Sequence, residues 1–294
     1  MPPLLVNIGC GSNWHPDWVN LDVRPVSPSV RVWDAESGLP FKDGIVDVCY
    51  ASHVLEHLSP EGARSLLIEC LRVLRPGSVI RLAVPDLEMV AREYLRVFAQ
   101  ADAGDSAAAQ QYEWITLELL DQLVREESGG AMARYLQSLA HHDAEYVKAR
   151  IGFEATPHCE RDGKGGGRAI EQESRAREES QGGALSSMRW SFQRIAQEWN
   201  HRKVDAAAWL CGLLLGRRGG TALRKGLFRT SGECHRWMYD RFSLGQILEH
   251  SGFVHVRACT AFESRIEGFA SFGLDVVGER VRKPDSLFME AVKP

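Results

Sequence analysis

An α/β fold built on a mostly parallel sheet is what this 294-residue sequence predicts, and three features carry the prediction. Short apolar runs alternate with helix-period segments through the first 100 residues, the pattern of strands joined by crossovers. Two glycines follow the first run directly, at Gly9 and Gly11. The same rhythm returns near residue 240, after a long stretch of different character.

In chain order, Leu4–Ile8 is the first strand, bounded by Gly9-Cys10-Gly11. Val19–Val23 and Val30–Trp33 are short strands that end near acids, Asp22 and Asp34. Ile45–Tyr50 follows the turn signal Lys42-Asp43-Gly44. Glu61–Leu74 spaces Ala63, Leu66, Leu67, Cys70, Leu71 and Leu74 as one helical face and stops at Arg75-Pro76-Gly77. Val79–Val84 is the fifth strand, and Pro85-Asp86 opens a helix over about 87–99. Residues 101–150 are helix-rich, with Trp114, Ile115, Leu117, Leu119, Leu120 and Leu123 as the apolar face. Residues 154–187 hold few large apolar side chains and include Gly163-Lys164-Gly165-Gly166-Gly167, so a mobile polar loop is expected there. Helical spacing returns at 188–200 and 204–215. Helix Ser243–His250 with Gly252 as its cap, strand Phe253–Cys259 and a last strand at Ser286–Val292 complete the pattern. The expected architecture is a seven-stranded sheet with helices on both faces. Residues 1–100 and 231–294 form its core, and 101–230 form a mainly helical insertion or cap.

Composition narrows the function classes. Lysine and arginine number 35 against 39 acids, a net charge of −4, which argues against a nucleic-acid binder that works through bulk charge. No apolar run approaches the ~18–20 residues of a bilayer span. Met1-Pro2-Pro3-Leu4-Leu5-Val6 lacks the basic start of a secretory signal. The seven cysteines are scattered and contain no CxxC pair, as expected of reduced thiols in a cytoplasmic protein.

The chemistry is concentrated where strands end. Glycines at positions 9 and 11 let the backbone turn with positive φ and approach a ligand closely. Asp22 then stands at the end of the second strand, where a carboxylate accepts hydrogen bonds from ribose hydroxyls. Asp34 and Ser52-His53 occupy the ends of the third and fourth strands, so all fall at the edge where an open α/β sheet binds its ligand. Position 14 is Trp, which breaks the GxGxxG spacing of a nicotinamide loop.

This ordered set resembles the class I S-adenosylmethionine (SAM)-dependent methyltransferases, of the Rossmann-like type 11 branch. The matching pieces are Val6-Asn7-Ile8-Gly9-Cys10-Gly11, Asn20-Leu21-Asp22, Asp34-Ala35, Leu39-Pro40-Phe41, Ile45-Val46-Asp47-Val48, Ser52-His53-Val54-Leu55-Glu56-His57-Leu58 and Leu71-Arg72-Val73-Leu74-Arg75-Pro76-Gly77, in order over about the first 90 residues. The resemblance implies that Gly9, Cys10 and Gly11 line the methionine end of SAM. It likewise puts Asp22 on the ribose, Asp34 and Ala35 beside the adenine, and Ser52 and His53 flanking the reaction centre. One departure is plain: only Ser12–Asn20 separate the glycines from the acidic strand, too few for a full crossover helix. A turn or loop is expected in its place.

A second resemblance lies toward the C-terminus. Cys234-His235-Arg236-Trp237-Met238-Tyr239-Asp240, Ser251-Gly252-Phe253, Glu263-Ser264-Arg265-Ile266 and Arg282-Lys283-Pro284-Asp285-Ser286-Leu287-Phe288-Met289-Glu290 look like a group of bacterial methyltransferases associated with surface-polysaccharide and other glycan biosynthesis. That likeness implies a small-molecule or glycan acceptor. His53 and His235 are the candidate bases for a hydroxyl acceptor. Trp237, Tyr239 and Asp240 are candidate substrate-binding residues, or else pack the insertion against the sheet.

Other readings stand beside these. His53-Val54-Leu55-Glu56-His57 matches HxxEH by its letters, but the segment straddles a strand end and a turn, so no metal is expected. Asp47 suits a structural hydrogen bond to a neighbouring loop, and His141-His142 a solvated helix face. Between His201 and Arg229 lie seven basic residues, one acid and the run Val204–Leu215, which fits either a buried helix or peripheral contact with a membrane or lipid-linked substrate. A SAM-binding protein without turnover remains an alternative to the enzyme, as do amine, lipid or protein acceptors.

Overall fold

The computed structural model describes residues 2–138, 143–155 and 184–294. His141-His142 and most of the expected polar loop at 154–187 lie outside the described residues. Each strand of the sheet grows from an apolar run. They are β1 (Leu5–Ile8), β2 (Val19–Asp22), β3 (Val30–Val32), β4 (Val46–Ser52), β5 (Leu74–Pro85), β6 (Val254–Cys259) and, last in the chain, β9 (Ser286–Val292). A two-stranded ribbon, β7 (Val276–Val277) and β8 (Arg280–Val281), is hydrogen-bonded separately and packs against Ala83 and Phe288 of the sheet through Val276. The sheet order is β3-β2-β1-β4-β5-β9-β6. Its first five strands run parallel, and β9 is antiparallel to both β5 and β6. The seven-stranded, mostly parallel α/β sheet expected from the sequence is therefore the fold.

Side chains alternate across the pleat. Val6, Ile8, Cys49, Ala51, Ile80, Leu82, Val84, Leu287, Met289 and Ala291 pack on one face with α1 (Pro60–Val73) and the helix Arg241–His250, which supply Leu66, Leu67, Cys70, Leu244 and Leu248. On the other face Leu5, Val48 and Tyr50 meet Trp18 and the short helical turn Phe269–Phe272. There the register sets Tyr50 beside Arg81 and Arg81 opposite Glu290. Fully buried Arg81 donates to Asp275 (2.7 Å), to Glu290 (2.9 Å) and to the Glu263 carbonyl (2.8 Å), while the Tyr50 hydroxyl donates to Asp275 (2.5 Å). This network pins the segment between β6 and β9 onto the sheet.

No helix separates β1 from β2. Buried asparagines satisfy the loop instead: Asn20 donates to the His15 and Trp18 carbonyls (2.8 Å each), and Asn7 donates to the Asn13 carbonyl (3.0 Å). The reduced crossover expected from the sequence is thus a turn held by two strand side chains.

Between β5 and the helix Arg241–His250 the described residues form helices: α2 (Leu87–Asp102), α3 (Ser106–Val124), α4 (Gly130–Gln137), α5 (Ala144–Ile151) and α6 (Ala184–Arg229), the last broken at Gly216 (φ +74°). Arg241–His250 is α7. One boundary differs from the sequence reading: β5 begins at Leu74, so Arg75-Pro76-Gly77 is strand as well as helix stop. The break at Gly216 falls directly after the expected helix 204–215, and helical structure then resumes to Arg229. No helix among the described residues is long and apolar enough to cross a membrane.

Candidate functional site

A cleft of about 810 Å³ opens at the carboxyl ends of β1, β2 and β4. Gly9 and Gly11 form the turn after β1, with φ of +63° and +51°. A Cβ at Gly9 would lie 2.4 Å from Val54, so the side of the turn against Val54 has no room for a side chain. At Gly11 a Cβ would meet nothing within 4 Å. Asp22 ends β2 and accepts from the Gly11 amide (2.8 Å) through one oxygen and from the Arg24 amide (2.7 Å) through the other. Asp34 caps the short turn Ala35–Ser37 by accepting from the Glu36 amide (2.9 Å). Gly9, Gly11, Asp22, Asp34, Ala35, His53 and His235 all line this one cleft.

The other sequence candidates sit elsewhere. Cys10 is buried, its amide donates to the Leu21 carbonyl (3.1 Å), and burial pushes its thiol up to about 12. Ser52 lines a small hollow with Asn13, Asp275 and Ser286. Tyr239 packs into the core, where burial raises its phenol to about 12. Asp240 is the N-cap of α7, accepting from the Phe242 and Ser243 amides (3.0 and 2.7 Å) in a capping box. Trp237 is half-exposed outside the cleft, its amide donating to the Glu56 carbonyl (3.2 Å).

The far wall is built where the chain returns from the helices. The His235 amide donates to the Gln122 carbonyl at the end of α3 (2.9 Å), and the Arg236 amide donates to the Glu56 carbonyl (2.6 Å). These bonds lay 235–237 along the turn Leu55–His57 and set the His57 and His235 rings edge to face at 4.8 Å. His53 has a positive φ of +55°, uncommon for a non-glycine residue. Its ring bridges two partners, Ser286 Oγ at Nε2 (2.8 Å) and the Glu56 carboxylate at Nδ1 (3.1 Å). Glu56 is wholly buried. Burial opposes its ionisation, yet contact with His53 and the nearby His57 and His235 hold the carboxyl at about 2. Burial drives His235 down to about 3 against the pull of Glu56, and lowers His57 as well.

Sequence reasoning missed Glu56, Arg125, Arg236, Lys283 and Asp285. The last four join the cleft from α3 and the C-terminal segment. Glu56 carried a signal inside the HxxEH letters, and Arg236, Lys283 and Asp285 stood within the C-terminal motifs; Arg125 carried none.

Residues 15–82 match the family model described as a methyltransferase domain. The match begins just after the glycine turn and includes Asp22, Asp34, His53 and Glu56. No curated protein matches the chain. Among solved structures it is similar to the complex between the Haloferax volcanii Trm112 methyltransferase activator and a methyltransferase, at 19% identity, over 32% of this chain and 50% of that one, with a TM-score of 0.25. It is also similar to a SAM-dependent methyltransferase of Thermotoga maritima, named as a possible histamine N-methyltransferase, at 11% identity, over 100% of this chain and 83% of that one, with a TM-score of 0.33. The chain thus spans half the length of the first of these.

The cleft fits a sulfonium nucleoside. Gly11 leaves open space, Asp22 keeps lone pairs for hydroxyls beyond its two amide donors, and Ile8, Leu21, Trp33, Val54 and Leu58 offer apolar surface to a base.

Proposed function

We propose that this chain, a SAM-dependent methyltransferase with SAM as its cofactor, O-methylates a sugar or glycan-related small molecule. Gly9, Gly11 and Asp22 hold the methionine and ribose parts of SAM, and Asp34 and Ala35 flank the adenine. Bound SAM supplies a methyl group already activated on a positively charged sulfur. What remains for the protein is to align an acceptor, exclude water and take up a proton.

The observation that carries this reading is His53, which lines the same cleft as the glycine turn while Glu56 stands behind its Nδ1. A carboxylate standing behind an imidazole is the arrangement of an oriented base. His53 is therefore the base for a hydroxyl, and His235, held far below neutrality, gains little in that role. The acceptor class rests on the C-terminal motifs and on the walls that Gln122, Arg125 and residues 230–236 raise over the cleft. We take the helical stretch 101–230 as the cap that shapes this pocket. Transfer of tritiated methyl from SAM into a polarity-fractionated extract tests the acceptor. Label in polar, sugar-containing product supports the reading, and label in protein or amines rejects it.

A lipid-surface role for α6 has its own support. Trp209, Leu210, Leu213, Leu214 and Leu215 are all exposed, and the sequence that follows them carries Arg218, Arg224, Lys225 and Arg229. We propose that this face touches a membrane or a lipid-linked acceptor. Sedimentation with anionic vesicles, lost in Trp209→Ser/Leu213→Ser, tests it. The six described cysteines are free thiols, which suits a cytoplasmic setting.

A further inference from the structure

Glu56 sets a problem that the methyl-transfer reading does not solve. Its carboxylate has 0% exposure, and neither oxygen makes an aligned hydrogen bond, His53 Nδ1 at 3.1 Å being its ion-pair contact. A buried carboxylate with so little compensation calls for a cation. The donor atoms of Glu56, His57 and His235 all lie within 4.8 Å of one another, and both histidines line the cleft. The Cys234 carbonyl lies 3.3 Å from His57 Nδ1, the arrangement that puts the proton there and leaves Nε2 as a lone-pair donor.

We propose that Glu56, His57 and His235 form a binding site for a divalent first-row transition ion, with its remaining coordination positions open to the cleft. Two imidazoles and one carboxylate suit zinc, cobalt, manganese or iron better than calcium or magnesium, which favour oxygen. Neighbouring ligands at ~2.1 Å from an ion stand about 3 Å apart, so side-chain movements of the order of an ångström close the set. His53 then becomes the group that orients the Glu56 ligand, as carboxylate ligands are commonly oriented by a second hydrogen-bonding partner. Arg125 adds positive charge nearby and opposes the ion, as it opposes protonation of His57 and His235. The HxxEH letters thus contribute Glu56 and His57, while the second imidazole comes from His235 far along the chain. Resting on the hydroxyl-acceptor reading, the open positions would hold the acceptor oxygen and lower its pKa.

The test uses the full chain, made without a metal-binding tag and stripped by a chelator, then titrated with Co²⁺ and Zn²⁺. One ion per chain is expected, with Co²⁺ giving visible absorption bands that shift when acetohydroxamate, an oxygen chelator, is added. His57→Ala and His235→Ala should each weaken uptake by about tenfold or more while still binding S-adenosylhomocysteine (SAH). Should either variant fail to fold, Glu56→Gln and the wild-type stoichiometry decide. Wild-type chain that binds SAH but takes up no more ion than the variants overturns the metal site and leaves the methyltransferase standing. A bound ion whose bands ignore acetohydroxamate overturns the open position. Ion uptake without SAH binding supports the metal site and rejects the cofactor cleft instead.

Discussion

Asp22 serves the turn and the cleft at once, so its loss acts twice. Its oxygens anchor the Gly11 and Arg24 amides, and the residue lines the cleft proposed to hold the ribose of SAM. Charge-assisted hydrogen bonds contribute roughly 1.5–3 kcal/mol each, so Asp22→Ala should weaken SAH binding by about 10- to 100-fold in calorimetry. Unchanged affinity would remove Asp22 from the site. The two glycines should separate by mechanism. Both adopt positive φ, but a Cβ at Gly9 also collides with Val54 at 2.4 Å whereas Gly11 has space. Gly11→Ala should therefore cost about 1–2 kcal/mol of backbone strain, and Gly9→Ala distinctly more, read from denaturant unfolding. Equal losses would contradict the close packing against Val54.

Among the elements, α7 shows how a residue that looks functional can be structural. Asp240 sits in a polar, aromatic cluster by sequence, yet its carboxylate completes a capping box with Ser243. Asp240→Ala should lower stability by about 1 kcal/mol and leave SAH affinity unchanged; a loss of affinity without loss of stability would restore it to the site. The apolar runs made β1 to β4 legible because period and length left one reading for each. The shortened crossover was legible too, since nine residues are too few for a helix and its two loops. How the loop is held was not, because Asn7 and Asn20 show their partners only once β1 and β2 lie side by side. Tyr239 could not be told from a pocket aromatic, because its burial depends on where the returning chain meets β5. The start of β5 was hidden by Arg75-Pro76-Gly77, which follows the end of α1 as a stop signal and is at the same time strand.

At the scale of the molecule, the C-terminal segment completes both the sheet and the site. Arg81, Asp275, Glu290 and Tyr50 form its anchor, and none was recognised from sequence because the partners lie some 200 positions apart. Arg81→Ala leaves Asp275 buried without its cation, while Glu290 keeps Arg257 (3.0 Å), and should destabilise the chain by about 3–5 kcal/mol. It should also speed hydrogen exchange in 260–290; a stability loss below about 1 kcal/mol would show that the network does not hold the segment. His235, like Asp275, acquires its neighbours only through long-range return of the chain, so the sequence offered the residue itself while its packing against Gln122, Glu56 and His57 was hidden. The most direct trial of the central claim is a crystal structure of the full chain with SAH. One molecule is expected at the ends of β1, β2 and β4, its ribose hydroxyls on Asp22 and its amino-acid portion over Gly9–Gly11. SAH seated elsewhere, or lying in the cleft with Asp22 out of reach, would contradict it.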